Sequence, residues 1–276
     1  MIDSHVHFWD YHPVKEAWIN EDMKAIQRDF KPSDIEQTLL ENGITGCVAV
    51  QADQSENETN FLLAYAEKYA FIKGVVGWID FRSEDLPQRL AAFAYHQKLV
   101  GWRHIAQPEP TGFLISPEFM RGLAELKNYP HTYDIVIHRG QLAEAIILVA
   151  KFPEQRFILD HLAKPDIKNK QGDEAWQQQI KELSLHTNVY GKISGMVTEA
   201  DWQSWTYDDM HFYLDVMFEN FGTDRLMFGS DWPVCTVAAS YQQTKNIVDR
   251  YTNQLSTQQK KAVFETNAIN CYQLKY

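Results

Sequence analysis

The chain has 276 residues, 45% hydrophobic, 13% aromatic and 23% charged, with 37 acidic against 26 basic side chains and a formal net charge of -11. Aromatic side chains spread along the whole length supply the burial that offsets chain entropy, which excludes disorder. Without a Lys/Arg excess to displace phosphate counterions, a nucleic-acid partner is excluded as well.

From end to end, short apolar runs alternate with longer amphipathic ones. Strands are expected at 2–7, 46–51, 72–78, 99–103, 133–138, 156–161, 188–193 and 225–229. Helices are expected at 32–41, 57–68, 85–95, 117–126, 142–151, 173–185, 207–220 and 238–251, with 257–264 closing the chain. The strand runs carry Val, Ile, Phe and Leu with little alternation, the pattern of strands covered on both faces of a parallel sheet. Pro32 and Pro117 mark helix starts, with Ser33 and Ser116 beside them as capping hydroxyls, and Gly43 is placed to end the first helix. Eight strands alternating with eight helices predict an α/β protein, a (β/α)8 TIM barrel forming one domain over residues 1–276. A doubly wound open sheet is the rival, but it needs a glycine-rich first βα turn, and that turn reads His5-Val6-His7-Phe8-Trp9-Asp10. The polar stretch 166–173 and the two-proline segment 107–111 read as βα loops.

Cys47, Cys235 and Cys271 show no CxxC spacing, so neither a disulfide framework nor a cysteine metal site is expected. The opening Met1-Ile2-Asp3-Ser4-His5 lacks an apolar targeting core, and no run of 18 apolar residues occurs, which points to a cytoplasmic protein without a membrane partner.

In a barrel of this kind, chemistry collects at the carboxyl ends of the strands. Strand one ends in His5-Val6-His7, strand four in Arg103-His104, strand five in His138-Arg139, strand six in Asp160-His161, strand seven in Lys192 and strand eight in Ser230-Asp231. Residues two apart on a strand point the same way, so His5 and His7 enter one mouth. Two imidazoles on one face can bind a divalent cation such as zinc, or hold a carbonyl oxygen or a water. His138 taken alone reads more readily as a hydrogen-bonded structural residue. Ser194 and Ser230 lack the Gly-x-Ser-x-Gly elbow of a serine esterase, and Gly191-Lys192-Ile193-Ser194 lacks the spacing of a phosphate loop.

His5-x-His7, His161 and Asp231, the last within Phe228-Gly229-Ser230-Asp231-Trp232-Pro233, resemble the amidohydrolase superfamily along the whole chain. Gly101-Trp102-Arg103-His104-Ile105, Leu159-Asp160-His161-Leu162-Ala163-Lys164-Pro165 and Lys192-Ile193-Ser194-Gly195 resemble its branch of sugar-lactone hydrolases, of the amidohydrolase 2 type, which includes L-fuconolactonase and L-rhamnonolactonase. The resemblance implies a hydrolase that opens a small sugar-derived lactone. Asp231 then suits the general base that takes a proton from water and returns it to the leaving oxygen. His161, His104 and Arg103 join it as catalytic candidates around the carbonyl oxygen, although an ion pair of Arg103 with Glu109 or Asp160 would only orient a loop. Trp232, Lys192, Gln107 and Glu109 are the substrate-binding candidates, with Trp9 and Trp102 behind them. The metal-ligating candidates are His5, His7, His161, Asp231 and His138. Binuclear members of the superfamily bridge two metals from the end of strand four with a carboxylated lysine or a glutamate. Here Arg103 holds that position, which limits the site to one divalent ion, zinc before others, or to none. Two rivals stand beside the lactonase: a metal-dependent decarboxylase or amide hydrolase on the same barrel, and a non-catalytic sugar-binding barrel. Homo-oligomerisation is left open.

Overall fold

The computed structural model describes residues 1–169 and 174–275. Eight strands form one parallel sheet in sequential order: β1 (Ile2–Val6), β2 (Gly46–Val50), β3 (Ile72–Gly77), β4 (Leu99–Ile105), β5 (Thr132–Val136), β6 (Phe157–Leu159), β7 (Val189–Ile193) and β8 (Leu226–Phe228). Closure from β8 back to β1 is made just beyond the short last strand. His7 N–H donates to Trp232 O at 2.7 Å, Asp231 N–H to His5 O at 2.9 Å and Ser4 Oγ to Phe228 O at 2.7 Å. Helices surround the sheet, giving the expected (β/α)8 barrel: α1 (Pro32–Glu41), α2 (Glu56–Lys68), α3 (Leu86–Phe93), α4 (Pro117–Leu123), α5 (Leu142–Lys151), α6 (Glu174–Ser184), α7 (Met196–Glu199), α8 (Tyr207–Phe221), α9 (Tyr241–Thr252), α10 (Thr257–Lys261) and α11 (Asn267–Tyr272). None of the described helices is long and apolar enough to cross a membrane.

The expected elements are present with shifted ends, and the shifts have local causes. Helix α1 is capped at Lys31, whose N–H donates to Asp34 Oδ2 at 2.8 Å, so Ser33 has no capping role. Ser116 does precede Pro117, but its hydroxyl donates to Phe113 O at 2.9 Å instead of capping α4. Gly43 ends α1 as expected: at φ +70° its N–H reaches Leu40 O, and the N–H of Ile44 reaches Leu39 O, the paired bonds of a left-handed helix stop. The expected start of α9 at 238 moves to Tyr241, where Ser240 Oγ accepts from Gln243 N and Gln243 Oε1 from Ser240 N. The 166–173 loop and the start of the 173–185 helix fall partly outside the described residues, at 170–173. Between β1 and α1 runs a long strap carrying a 3-10 turn at Glu21–Ile26, closed at its base by reciprocal backbone bonds between Trp9 and Phe30.

Ile2, Val48, Val50, Val76, Val100, Ile158 and Met227 form one buried cluster with Tyr272 and Leu274. A cluster drawn from six different strands can only fill the barrel interior, so the end of the chain plugs the barrel from its amino-terminal side. The second, larger core joins the outer strand faces to the helices.

Candidate active site

Above that apolar floor, side chains from successive strand ends converge. His5 and His7 do share one face, with their Nε2 atoms 3.1 Å apart. His7 Nδ1 lies 2.7 Å from Val50 O, so that nitrogen carries the proton and Nε2 presents a lone pair. It faces Asp231 Oδ1 at 3.4 Å, and His5 Nε2 lies 3.8 Å from the same oxygen. His161 joins from the turn after β6, with Nδ1 2.9 Å from Ser194 Oγ and its ring centroid 4.4 Å from that of His5. Ligand atoms of His5, His161 and Asp231 lie within 4.8 Å of one another.

The backbone works to deliver two of these groups. His161, Leu162, Ala163 and Lys164 all have φ between 51° and 58°, a left-handed turn that costs roughly 1–2 kcal/mol per non-glycine residue. It is held by Trp176 Nε1 donating to Leu162 O at 2.8 Å and by a Lys164–Glu199 ion pair at 2.9 Å. Asp231 is also left-handed, at φ 59°. Such strain concentrates where a side chain must be aimed against local preference. Gly195 lies against the His161 ring, where a Cβ would come within 2.7 Å of Nδ1.

Beneath the cluster lies a buried charge network. Arg103 Nη1 donates to Asp160 Oδ2 at 2.9 Å and lies 3.2 Å from His5 Nε2, while Nη2 donates to the carbonyl of Gln51 and, at 3.1 Å, to its side-chain oxygen. Lys192 Nζ reaches Asp134 Oδ2 at 2.6 Å, Asp160 Oδ1 at 2.9 Å and His5 Nδ1 at 3.2 Å. Tyr272 OH also donates to Asp134, tying this network to the plug.

Burial, aided by Lys192, drives the His5 imidazole well below its ordinary pKa, and burial pushes His161 down to about 4. Burial alone would raise Asp231, but the imidazoles around it, His161 first and then His7 and His5, hold it below the carboxylate range. Neutral imidazole nitrogens and an ionised carboxylate are the protonation states a divalent metal requires. At metal–ligand distances of about 2.0–2.1 Å, neighbouring ligand atoms sit roughly 3–3.4 Å apart, so His5, His7 and Asp231, separated by 3.1, 3.4 and 3.8 Å, would draw in slightly on such an ion.

A cavity of about 550 Å³ opens over the cluster, lined by His7, Arg103, His161 and Asp231 and, further out, by Gln54, Gln107 and other loop residues. His138 lines it too, but exposed at its outer wall and apart from the three converging ligands. The other candidates lie elsewhere. His104 is next to Arg103 on β4 and so points the opposite way. Its Nδ1 accepts from Trp78 Nε1 at 3.1 Å, its Nε2 meets Glu109 at 2.8 Å and its ring stacks on Phe113, which places both His104 and Glu109 outside the cavity. Lys192, fully buried, supports His5 from below instead of meeting the cavity. Trp232 packs on Phe8 and Phe30, Trp9 against Phe30, and Trp102 against Phe93. Trp18, 40% exposed on the strap, is the tryptophan that does line the cavity. Its loop has no periodicity from which that could be read.

The chain matches the family model described as Amidohydrolase over residues 2–274. It is 36% identical to a protein named L-fucono-1,5-lactonase from Burkholderia multivorans, covering 99% of this chain and 96% of that protein. A protein of the same name from Burkholderia ambifaria is 30% identical, over 99% and 95%. Among solved structures, an amidohydrolase from Burkholderia multivorans with bound zinc is similar at a TM-score of 0.95 and 36% identity, over 99% of both chains. With this match running almost from end to end over the barrel and its histidine–aspartate cluster, the chain belongs to the amidohydrolase family.

Proposed function

We propose that the protein hydrolyses a sugar-derived lactone, an aldonolactone such as L-fuconolactone or L-rhamnonolactone. The observation that carries this reading is the convergence of Asp231 with His5, His7 and His161 at the base of an open cavity. The full-length relatives named L-fucono-1,5-lactonase supply the substrate class.

Asp231, ionised and facing the cavity, takes a proton from the attacking water and delivers it to the ring oxygen as the carbonyl carbon–oxygen bond of the ring breaks. His161, neutral and oriented by Ser194, faces the same space. Arg103 keeps positive charge beneath the reacting carbonyl, where the oxyanion develops. Gln107 and Gln54 offer hydrogen bonds to sugar hydroxyls, and Trp18 offers an apolar ring face to the sugar. His5, His7, His161 and Asp231 would hold one divalent ion, zinc being the one found in the solved relative, and such an ion when bound polarises a carbonyl and acidifies water.

Ring opening yields a carboxylic acid that ionises, so a pH indicator reads turnover directly. A panel of 1,4- and 1,5-aldonolactones, assayed with and without chelator, is expected to show acid release from at least one member, with the chelator arm reporting dependence on the ion. No acid from any lactone would end this reading. Asp231→Asn is expected to lower kcat/KM by about 10³-fold, and wild-type turnover in that variant would remove Asp231 as the base.

A further inference from the structure

A second cavity, about 350 Å³, opens at the amino-terminal side of the barrel, against the entries to β5 and β6. That volume is within the range of small-molecule sites. Leu123 and Leu126, both buried, line it together with Phe152. Lys127, Lys151 and Arg156 also line it, against one acid, Glu154, in a chain whose net charge is -11.

His131 gives this cavity a fixed polarity. The side chain is 5% exposed, and its Nδ1 accepts the Trp102 indole N–H at 3.0 Å. An indole nitrogen only donates, so Nδ1 carries no proton and the proton of the neutral ring must be on Nε2. Burial and the nearby Arg156 push this imidazole down to about 4, which keeps it neutral. Among the described residues Nε2–H has no acceptor, and His131 is part of the cavity wall. This donor is open to the cavity, where a ligand oxygen can take it, and the three cations lining the same wall favour an acceptor that is also an anion. The leucine and phenylalanine walls favour an occupant with an apolar body.

We propose that this second cavity binds a small carboxylate with an apolar body, its oxygens accepting from His131 Nε2–H and facing Lys127, Lys151 and Arg156. Benzoate is the probe, titrated into the intact protein while the His131 ring signals are followed by NMR and assigned through their contacts with the stacked Tyr129 ring. The expected result is a saturable shift of the His131 signals, with benzamide, which lacks the charge, and acetate, which lacks the ring, each binding more weakly. Lys127→Ala/Lys151→Ala, which alters two exposed side chains, is expected to weaken benzoate about tenfold while leaving turnover unchanged. Absence of a saturable shift overturns the proposal. So does benzamide or acetate binding as tightly as benzoate, or unaltered benzoate affinity in the double variant.

Discussion

The two halves of the barrel interior solve the same packing problem with opposite chemistry. The lower half is filled by Ile2, Val48, Val50, Val76, Val100, Ile158 and Met227 beneath the Tyr272 plug. The upper half holds His5, Arg103, Asp134, Asp160 and Lys192, all buried. Aliphatic side chains tolerate individual trimming, because each contributes area and contacts of its own. Buried charges do not, because each is tolerable only while its partners remain. The lower half therefore carries stability in small independent parts, and the upper half stands or falls as a network that also aims His5.

Lys192→Met tests this contrast most severely. It leaves Asp134 and Asp160 without their shared cation, and a loss of about 3–5 kcal/mol is expected from denaturant unfolding. A change below 1 kcal/mol would show that the network is not cooperative.

Acidification tests both ends of the barrel together. His161 and His131 are held down to about 4 by burial, whereas in the unfolded chain they take up protons from about 6.5. The unfolded state thus binds more protons between those values. The contribution of these neutral rings is complete above about pH 6.5 and is lost as the pH falls towards 4, by at most about 3 kcal/mol each. Asp3, raised to about 6 by burial, acts in the opposite sense over part of that interval. Urea unfolding at pH 7, 5.5 and 4 should show a net decline, and a flat profile would contradict the burial of neutral imidazoles.

Gly195→Ala strikes the aim of His161 without removing a charge. The new methyl group would need a left-handed backbone at φ +65° and would collide with the imidazole, so a stability loss of roughly 1–2 kcal/mol should accompany a fall in kcat. Unchanged kcat in a folded protein would show that the ring has freedom to move. Ile158→Val on the floor is the mildest test: about 1 kcal/mol lost in unfolding with kcat and KM unaltered. A kinetic effect there would mean that the two halves are coupled.

The barrel was legible because apolar runs and amphipathic periods reflect burial that any such sheet imposes. His5 and His7 were legible for a related reason, the two-residue period of a strand. That same period argues against placing both Arg103 and His104 in the mouth, where following the motif string alone groups them together. Depth was harder to read. A lysine at a strand end looks the same in sequence whether it meets solvent or, like Lys192, is fully enclosed. The left-handed course of residues 161–164 was hidden because no glycine marks it, and it is held by contacts from Trp176 and Glu199, remote in sequence.

The seam between the first and last strands has a consequence for when the enzyme comes into being. Backbone bonds from Asp231 to His5 and from His7 to Trp232 join the barrel at the very residues that make the cluster. A nascent chain that has passed seven strands already owns three of the four groups and still has no site, because the fourth arrives with the closing staple. On the proposed assignment of these residues, acquisition of chemistry and completion of the ring are then one event.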